Sequence, residues 1–331
     1  MPIPKIELAD DLSIRRILNG MWQVSGGHGQ IDSKSAVLEM LEYHKDGFTT
    51  WDLADIYGPA ESYIGKFRKQ LSREDLKQSQ SLTKFVPNPG PMSKSIVEYY
   101  IDQSLHKMNT DSLDLIQFHW WDYNNPSYLE ALVNLSNLQA EGKIKHLGLT
   151  NFDTKRIKII SERGFKLISN QVQYSILDQR PEKLMIPFCQ KHEIHLLTYG
   201  TLLGGFLSEK YLNQPEPHRA DLTTSSLQKY YNMISVWGGW GLFQELLQVL
   251  SKIAQKHDSS IANVSTKFIL DKPVVAGVII GTRLGISEHR HENAHVFDIH
   301  LESEDLTMIR SVTSKSNDLF NAIGDCGDEY R

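Results

Sequence analysis

The stretch Phe48–Gly58, FTTWDLADIYG, decides the fold and raises the question of function. Its first five residues are typical of a buried strand whose side chains alternate between two faces, with Thr50 and Asp52 on the same face. The strand ends on the Asp52 carboxylate, and a phenol follows on the next loop at Tyr57. A carboxylate at the inward end of a strand is costly to bury, so we expect it to serve another polar group there.

The same order of strand and then helix recurs along the whole chain. Before the strand at 48–52, Asp32 can cap the start of a helix with one apolar stripe, and Gly47 can end that helix. Because neighbouring parallel strands need a crossover helix, an unbroken series of this kind predicts a parallel sheet. The eight strand candidates are ILNGMW (17–22), FTTWD (48–52), SLTKFV (81–86), LDLIQFH (113–119), KHLGLTN (145–151), LISNQVQYS (167–175), HLLTYG (195–200) and AGVIIGT (276–282).

Eight such units in 331 residues favour an α/β fold of the closed (β/α)8 TIM-barrel type, which typically needs ~250 residues plus insertions. We predict a single domain over residues 1–331. An open doubly wound sheet would carry GxGxxG after a strand, and the runs Gly26–Gly29 and Gly238–Gly241 lack that spacing. A long loop insertion at about 201–241 follows the seventh strand and is a candidate lid or phosphate clasp. A C-terminal tail at about 315–331 is either a cover for the site or a mobile segment.

Composition excludes several function classes. The chain is 40% hydrophobic and 23% charged with a formal charge of −5, and its Lys and Arg residues form no basic run. Nucleic acid and anionic membranes are therefore not expected as partners. The longest apolar run, VVAGVIIG (274–281), is far shorter than the ~20 residues of a membrane helix. Two distant cysteines and an acidic N-terminus without an apolar segment predict a cytoplasmic protein. Nothing in the sequence indicates an oligomeric state.

Polar residues stand at three successive strand ends. Asp52 and Tyr57 follow the second strand, Lys84 lies in the third and His119 ends the fourth. Each residue alone also fits a structural role, as a turn cap, a packed ring or a side chain reaching solvent. In a closed barrel, however, the carboxyl ends of the strands converge on one cavity. We therefore expect these four side chains to meet.

The four residue types have compatible roles in the reduction of a carbonyl group, which needs a proton donor within hydrogen-bond reach. A phenol with a pKa of about 10 gives up its proton reluctantly, and a nearby ammonium such as Lys84 favours the phenolate. Asp52 would hold that ammonium and offset the cost of burying its charge. His119 can donate a hydrogen bond to the carbonyl oxygen. Tyr57 is then the general acid.

This constellation resembles the aldo-keto reductase family over nearly the whole chain, with Asp52, Tyr57, Lys84 and His119 as the matching catalytic tetrad. The motifs that carry the resemblance are GMW (20–22), WDLADIYG (51–58), TKF (83–85), FHW (118–120), LGLTNF (147–152), NQVQYS (170–175), YGTLLGGFLSEKY (199–211) and HEN (291–293). The resemblance implies an NADP-dependent oxidoreductase that reduces an aldehyde or ketone to the alcohol by hydride transfer from NADPH.

The resemblance also implies a cofactor site on the barrel itself. Arg283 matches a family position that contacts the 2′-phosphate of the adenosine. The chemistry agrees, since a guanidinium can donate two parallel hydrogen bonds to phosphate oxygens, and a helix starting near Ser287 would point its N-terminus at anions. The implied cofactor residues are Thr150, Asn151 and Gln171 at the carboxamide, Tyr199 stacked on the nicotinamide, Leu202, Gly204 and Gly205 along the pyrophosphate, and Gly281, Arg283, His289, Glu292 and Asn293 toward the adenosine.

Three indoles, Trp22, Trp120 and Trp121, would surround the small-molecule carbonyl substrate and give its pocket apolar walls. Aromatic or medium-chain aldehydes fit such a pocket. Packing of one indole, Trp121 above all, in the barrel wall is the alternative. The WGGW run (237–240) either closes over the ligand or anchors the insertion.

Two other functions are compatible with the sequence. His291–His295, HENAH, matches the zinc-protease pattern H-E-x-x-H, in which two histidines on one helix face bind zinc. It lies where the adenine-binding helix is expected, and we predict no metal. The second alternative is an NADPH-binding sensor that keeps the barrel and turns over slowly.

Overall fold

Eight parallel strands close into a barrel in the computed structural model, which describes residues 3–26 and 31–330. The strands follow one another around the barrel in chain order, and the last pairs with the first. This confirms the predicted fold. The barrel strands are β3 (Ile17–Gly20), β4 (Thr50–Asp52), β5 (Gln80–Phe85), β6 (Leu113–His119), β7 (Ile144–Thr150), β8 (Ser169–Gln173), β9 (His195–Tyr199) and β10 (Val275–Gly281). Most of the Gly26–Gly29 run lies outside the described residues.

Helices lie between the strands and cover the barrel. The first begins as predicted, because the Asp32 carboxylate accepts a hydrogen bond of 2.8 Å from the Ser35 amide, and Gly47 follows its end with φ of 87°. The α-helices are α1 (Ser33–Lys45), α2 (Ala60–Arg68), α3 (Arg73–Gln78), α4 (Lys94–Met108), α5 (Tyr128–Ala140), α6 (Thr154–Glu162), α7 (Met185–Lys191), α8 (Ser225–Trp237), α9 (Gly239–Lys256), α10 (Ile261–Leu270), α11 (Arg290–Ala294), α12 (Ser303–Thr313) and α13 (Leu319–Ile323). None of them, within the described ranges, combines the length and apolar composition that a membrane crossing requires.

An N-terminal hairpin, absent from the sequence prediction, precedes the barrel. Its strands β1 (Lys5–Ala9) and β2 (Leu12–Arg15) pair antiparallel. The buried side chains of Leu8, Leu12 and Ile14 form a cluster with barrel residues near the amino ends of the strands. The hairpin therefore caps the end of the barrel opposite the strand ends that carry the polar residues.

The insertion at 201–241 is folded rather than open. It contains three short 3-10 segments and α8, and α9 begins within it at Gly239. Trp237 and Trp240 are buried, and the Trp240 indole N–H donates to the Gln214 carbonyl over 2.9 Å. Of the two predictions for WGGW, the structure favours the hydrophobic anchor.

Helices α2 and α4 approach each other closely at Gly65. A Cβ placed on Gly65 would lie 2.0 Å from the carbonyl oxygen of Lys107, a backbone atom that cannot move aside alone. Gly241 offers a contrast, since a Cβ on this helical glycine meets nothing within 4 Å.

We therefore expect Gly65→Ala to lower the free energy of unfolding by roughly 1–3 kcal/mol, the usual cost of overpacking. The matched control Gly241→Ala should be neutral or stabilising by up to about 1 kcal/mol, because alanine is the better helix former. Urea unfolding of both variants measures this difference. Equal stability of the two variants would show that α2 and α4 separate freely at this contact.

Candidate active site

The carboxyl end of the barrel brings three buried polar side chains together. Asp52 is the last residue of β4, Lys84 lies near the end of β5 and His119 is the last residue of β6. Their exposed fractions are 3%, 2% and 4%. Because β4, β5 and β6 are neighbours in the barrel, the three side chains enter the same end of its interior, as the sequence predicts.

A buried ion pair forms the centre of the site. The Lys84 Nζ lies 2.7 Å from Asp52 Oδ2 and also donates to the Leu53 carbonyl over 3.1 Å. Burial lowers the pKa of Lys84, and the Asp52 carboxylate opposes that shift. The same Nζ lies 5.1 Å from the centroid of the Tyr57 ring. Tyr57 and Lys84 thus face the same cavity.

Two glutamines hold the other oxygen of the Asp52 carboxylate. Gln117 Nε2 donates to Asp52 Oδ1 over 2.9 Å, and Gln171 Nε2 donates to the same atom over 2.7 Å. Gln171 also donates to Gln117 Oε1 over 2.7 Å. Sequence reasoning missed Gln117, although strand alternation offers the signal: it stands two residues before His119 on β6 and shares its inward face.

Asn151 links the predicted carboxamide residues to His119. Its Nδ2 lies 3.5 Å from His119 Nδ1, and its Oδ1 accepts a hydrogen bond of 2.8 Å from the Tyr199 hydroxyl. The backbone N–H of Asn151 donates to the backbone carbonyl of Gln171 over 2.8 Å. With Thr150 directly before it at the end of β7, the four predicted residues share one edge of the cavity.

The predicted pyrophosphate residues lie in a glycine-containing turn after β9. Gly204 and Gly205 have φ of 66° and 103°, in a 3-10 segment that follows Leu202. Helix α8 of the insertion packs against this turn, since a Cβ on Gly204 would lie 3.1 Å from Ser226 Cβ. The helix also brings Lys229, whose Nζ lies 5.2 Å from the centroid of the Tyr199 ring. No local pattern marked Lys229 as a site residue.

The predicted adenosine residues follow β10. Arg283 is exposed and forms an isolated antiparallel bridge with Ser287. The helix expected near Ser287 begins later, at Arg290, and has five residues. Its short length removes the predicted helix-dipole contribution to anion binding. Gly281 ends β10 where a Cβ would lie 2.1 Å from Gln23 Nε2.

The zinc pattern in His291–His295 does not form a metal site. Helix α11 ends at Ala294, so His295 falls in the following 3-10 segment. Glu292 Oε2 lies 3.4 Å from His289 Nδ1. The side chains of His289 and Glu292 are exposed, and that of Asn293 is half-buried. Across residues 3–26 and 31–330, no three His, Cys, Asp or Glu side chains are grouped to hold a metal ion.

The three predicted pocket indoles separate. Trp22 stacks on the Tyr57 ring with centroids 6.2 Å apart, and the Trp121 and His119 ring centroids are 4.3 Å apart. Both indoles are partly exposed, with Ile56 also exposed on the loop that carries Tyr57. Trp120, in contrast, is fully buried, and its indole N–H donates to the Asp122 carbonyl over 2.7 Å. The prediction of Trp120 as a pocket residue is not supported, because that ring packs in the barrel wall.

A second carboxylate, the half-buried Asp55, fastens the Tyr57 loop to β5. Its amide donates to the Lys84 carbonyl over 3.1 Å, and its Oδ2 accepts from the Val86 amide over 3.1 Å. Burial raises the pKa of Asp55 to about 7; the hydrogen bond from the Val86 amide opposes this shift, the nearby Glu61 charge on α2 adds to it, and the Lys107 charge on α4 opposes it weakly.

This pKa predicts a pH-dependent stability. A carboxyl group with a pKa of about 7 in the folded chain and about 3.9 when unfolded keeps its proton longer in the folded state. The resulting stabilisation is complete below pH ~4 and is lost as the pH rises to ~7. Asp55→Asn preserves an acceptor for the Val86 amide and removes the titration.

We expect Asp55→Asn to gain stability relative to wild type between pH 5 and pH 8, on the order of one to a few kcal/mol. Urea unfolding at both pH values measures this gain, with the exposed Asp10→Asn as control. A constant difference between Asp55→Asn and wild type across the two pH values would contradict the assignment.

Both the sequence and the fold of the chain are similar to known proteins. The model of the aldo/keto reductase family matches residues 16–314. The NADH-specific methylglyoxal reductase of Escherichia coli (strain K12) is 24% identical over 324 residues, which cover 91% of this chain and 95% of the relative. Aldo-keto reductase str7 of Strobilurus tenacellus is 26% identical over 333 residues, which cover 96% of this chain and 94% of the relative.

Two solved structures share the barrel. The thermostable aldo-keto reductase Tm1743 is similar with a TM-score of 0.71 and 25% identity, covering 93% of this chain and 99% of that one. The glycerol dehydrogenase AKR11B4 from Gluconobacter oxydans has a TM-score of 0.79 at 20% identity, covering 95% and 96%, and supports the fold. By its sequence, its barrel and the family match across most of its length, the chain belongs to the aldo/keto reductase family of oxidoreductases, which use nicotinamide cofactors.

Proposed function

We propose that the protein reduces an aldehyde or ketone to the alcohol with NADPH, and that Tyr57 is the general acid. The observation that carries the proposal is the position of the Lys84 ammonium, which lies 2.7 Å from Asp52 Oδ2 and 5.1 Å from the Tyr57 ring centroid. A cation beside a phenol favours the phenolate, so it eases the transfer of the hydroxyl proton.

The residues of the tetrad divide the work of proton delivery. Tyr57 gives its hydroxyl proton to the carbonyl oxygen of the substrate as negative charge develops there. Lys84 stabilises the phenolate that remains, and Asp52 keeps the ammonium charged at a buried position. His119 donates a hydrogen bond to the same carbonyl oxygen and orients it. Gln117 and Gln171 fix the Asp52 carboxylate through its second oxygen.

The chain offers groups that fit a dinucleotide. A Cβ on Gly205 would meet nothing within 4 Å, so phosphate oxygens can approach this part of the turn, whereas α8 packs on the Cβ position of Gly204. Because the side-chain Nε2 of Gln171 donates a hydrogen bond to Asp52, we propose that its side-chain oxygen Oε1 accepts a hydrogen bond from the carboxamide. Bound NADPH would supply the hydride from C4 of its nicotinamide ring. The other proposed contacts are Thr150 and Asn151 at the carboxamide, Tyr199 on the nicotinamide face, Leu202 at the pyrophosphate and Gly281, Arg283, His289, Glu292 and Asn293 toward the adenosine.

The choice of NADPH rests on Arg283, since a guanidinium suits the additional phosphate. The Escherichia coli relative is NADH-specific, so the nucleotide preference needs its own test. For the substrate, the partly exposed indoles of Trp22 beside Tyr57 and of Trp121 beside His119 favour a carbonyl compound with an apolar body, such as an aromatic or medium-chain aldehyde.

Tyr57→Phe tests the general acid. We expect kcat for aldehyde reduction to fall by ~10²–10⁴, the usual contribution of a positioned acid, while the Kd for NADPH changes little. Steady-state kinetics and fluorescence titration measure the two quantities. Tyr99→Phe, at an exposed tyrosine of α4, is the matched control. If Tyr57→Phe retained the kcat of the wild type, the assigned role would be wrong.

Arg283→Ala tests the nucleotide preference. Loss of a charge-assisted contact to the 2′-phosphate should raise the Kd for NADPH roughly 10–100-fold and leave that for NADH nearly unchanged. The exposed Arg73→Ala on α3 controls for a general loss of positive charge. An equal effect of Arg283→Ala on both nucleotides would remove the reason for preferring NADPH.

A further inference from the structure

The C-terminal tail lies outside the residues that the family model matches, 16–314, but it is built into the catalytic end of the barrel. Its segment 325–329, which we call the docked tail, contains the buried Cys326. The tail prediction left open whether this part covers the site or is mobile. In the described residues, it is held by buried contacts.

The buried Arg180 side chain fastens the docked tail. Its Nε and Nη2 bind the Asp178 carboxylate over 2.7 and 2.8 Å. Its Nη1 donates to the Asp325 carbonyl over 3.1 Å and to Glu329 Oε2 over 3.0 Å. At the other side, the Thr154 amide at the start of α6 donates to Asp325 Oδ2 over 2.7 Å. The docked tail therefore bridges the segments that follow β7 and β8.

Gly327 brings the docked tail against the backbone of Asn151. It has φ of 90°, and a Cβ on it would lie 2.1 Å from the Asn151 carbonyl oxygen and 2.7 Å from the carbonyl carbon. Asn151 itself has φ of 56°, a left-handed conformation that needs support from its surroundings. Its side chain connects the Tyr199 hydroxyl with the His119 ring.

We propose that the docked tail is a positioning element of the nicotinamide pocket, in which Gly327 backs Asn151 and Arg180 holds Gly327 in place. This inference rests on the proposed function. The Asn151 carbonyl oxygen also accepts a hydrogen bond of 3.1 Å from the Tyr123 hydroxyl, so displacement of the tail would loosen Asn151 on one side and weaken its contacts with Tyr199 and His119. The tail itself need not touch substrate or cofactor for this effect.

Gly327→Ala tests the contact, with Gly164→Ala as the matched control. Gly164 has a similar φ of 86°, but a Cβ on it meets nothing within 4 Å, so both variants carry comparable backbone strain. We expect Gly327→Ala to lower kcat for carbonyl reduction about tenfold and to raise the Kd for NADPH several-fold, with the KM for the carbonyl compound little changed. Gly164→Ala should stay within about twofold of wild type. Equal kinetics and nucleotide binding in both variants would overturn the proposal.

Glu329→Gln provides a milder second test if Gly327→Ala folds poorly. It removes the charge that Glu329 of the docked tail presents to Arg180, while Arg180 keeps its two hydrogen bonds to Asp178. We expect faster amide hydrogen exchange in the segment around Asn151, together with a smaller fall in kcat. Unchanged exchange at that segment would count against the proposal. The exchange measurement needs no turnover, so a wild-type protein that reduced no carbonyl would refute the proposed function while the test of the docked tail still stood.

Discussion

The ion pair between Lys84 and Asp52 is the interaction on which the catalytic end of the barrel depends. Removing a charge from water costs several kcal/mol per ion, even after relaxation, and both side chains are nearly fully buried. Additional hydrogen bonds offset this cost. Lys84 also donates to the Leu53 carbonyl, and two glutamines donate to the second oxygen of the Asp52 carboxylate. Residues from β4, β5, β6 and β8 thus share one network, and loss of any member would leave a buried polar group without its partner.

The fold and the centre of this network were predictable from sequence for the same reason. A parallel barrel imposes two regularities, alternation of side chains along each strand and convergence of all strand ends on one cavity. Asp52, Lys84 and His119 follow from the second regularity, and Gln117 would have followed from the first. The hydrogen bond between Gln171 and Asp52 could not be predicted, because it joins residues 119 positions apart and depends on how two side chains meet across the barrel interior.

The features that sequence reasoning missed lie where chain geometry is irregular. The hairpin of β1 and β2 is short, and only its packing against the amino ends of the barrel strands shows that it caps the barrel. Trp120 and Trp121 are adjacent residues just beyond the end of β6, where the alternation of side chains along a strand no longer predicts which ring points inward. In the structure Trp120 is buried and Trp121 is partly exposed. Helix α11 begins later than predicted, at Arg290, whose guanidinium forms ion pairs with Glu39 of α1 and with Asp46 just after it; these long-range contacts leave no local sequence signal.

Two segments outside the barrel strands meet at the hydrogen bond between Tyr199 and Asn151. Helix α8 of the insertion places Lys229 over the Tyr199 ring, and the docked tail places Gly327 against the Asn151 backbone. In the proposed mechanism the strand ends and the Tyr57 loop supply the proton and its electrostatic support, whereas these two segments contact the residues proposed to hold the nicotinamide. Because neither segment contributes a member of the tetrad, each can change in sequence without altering the reacting groups.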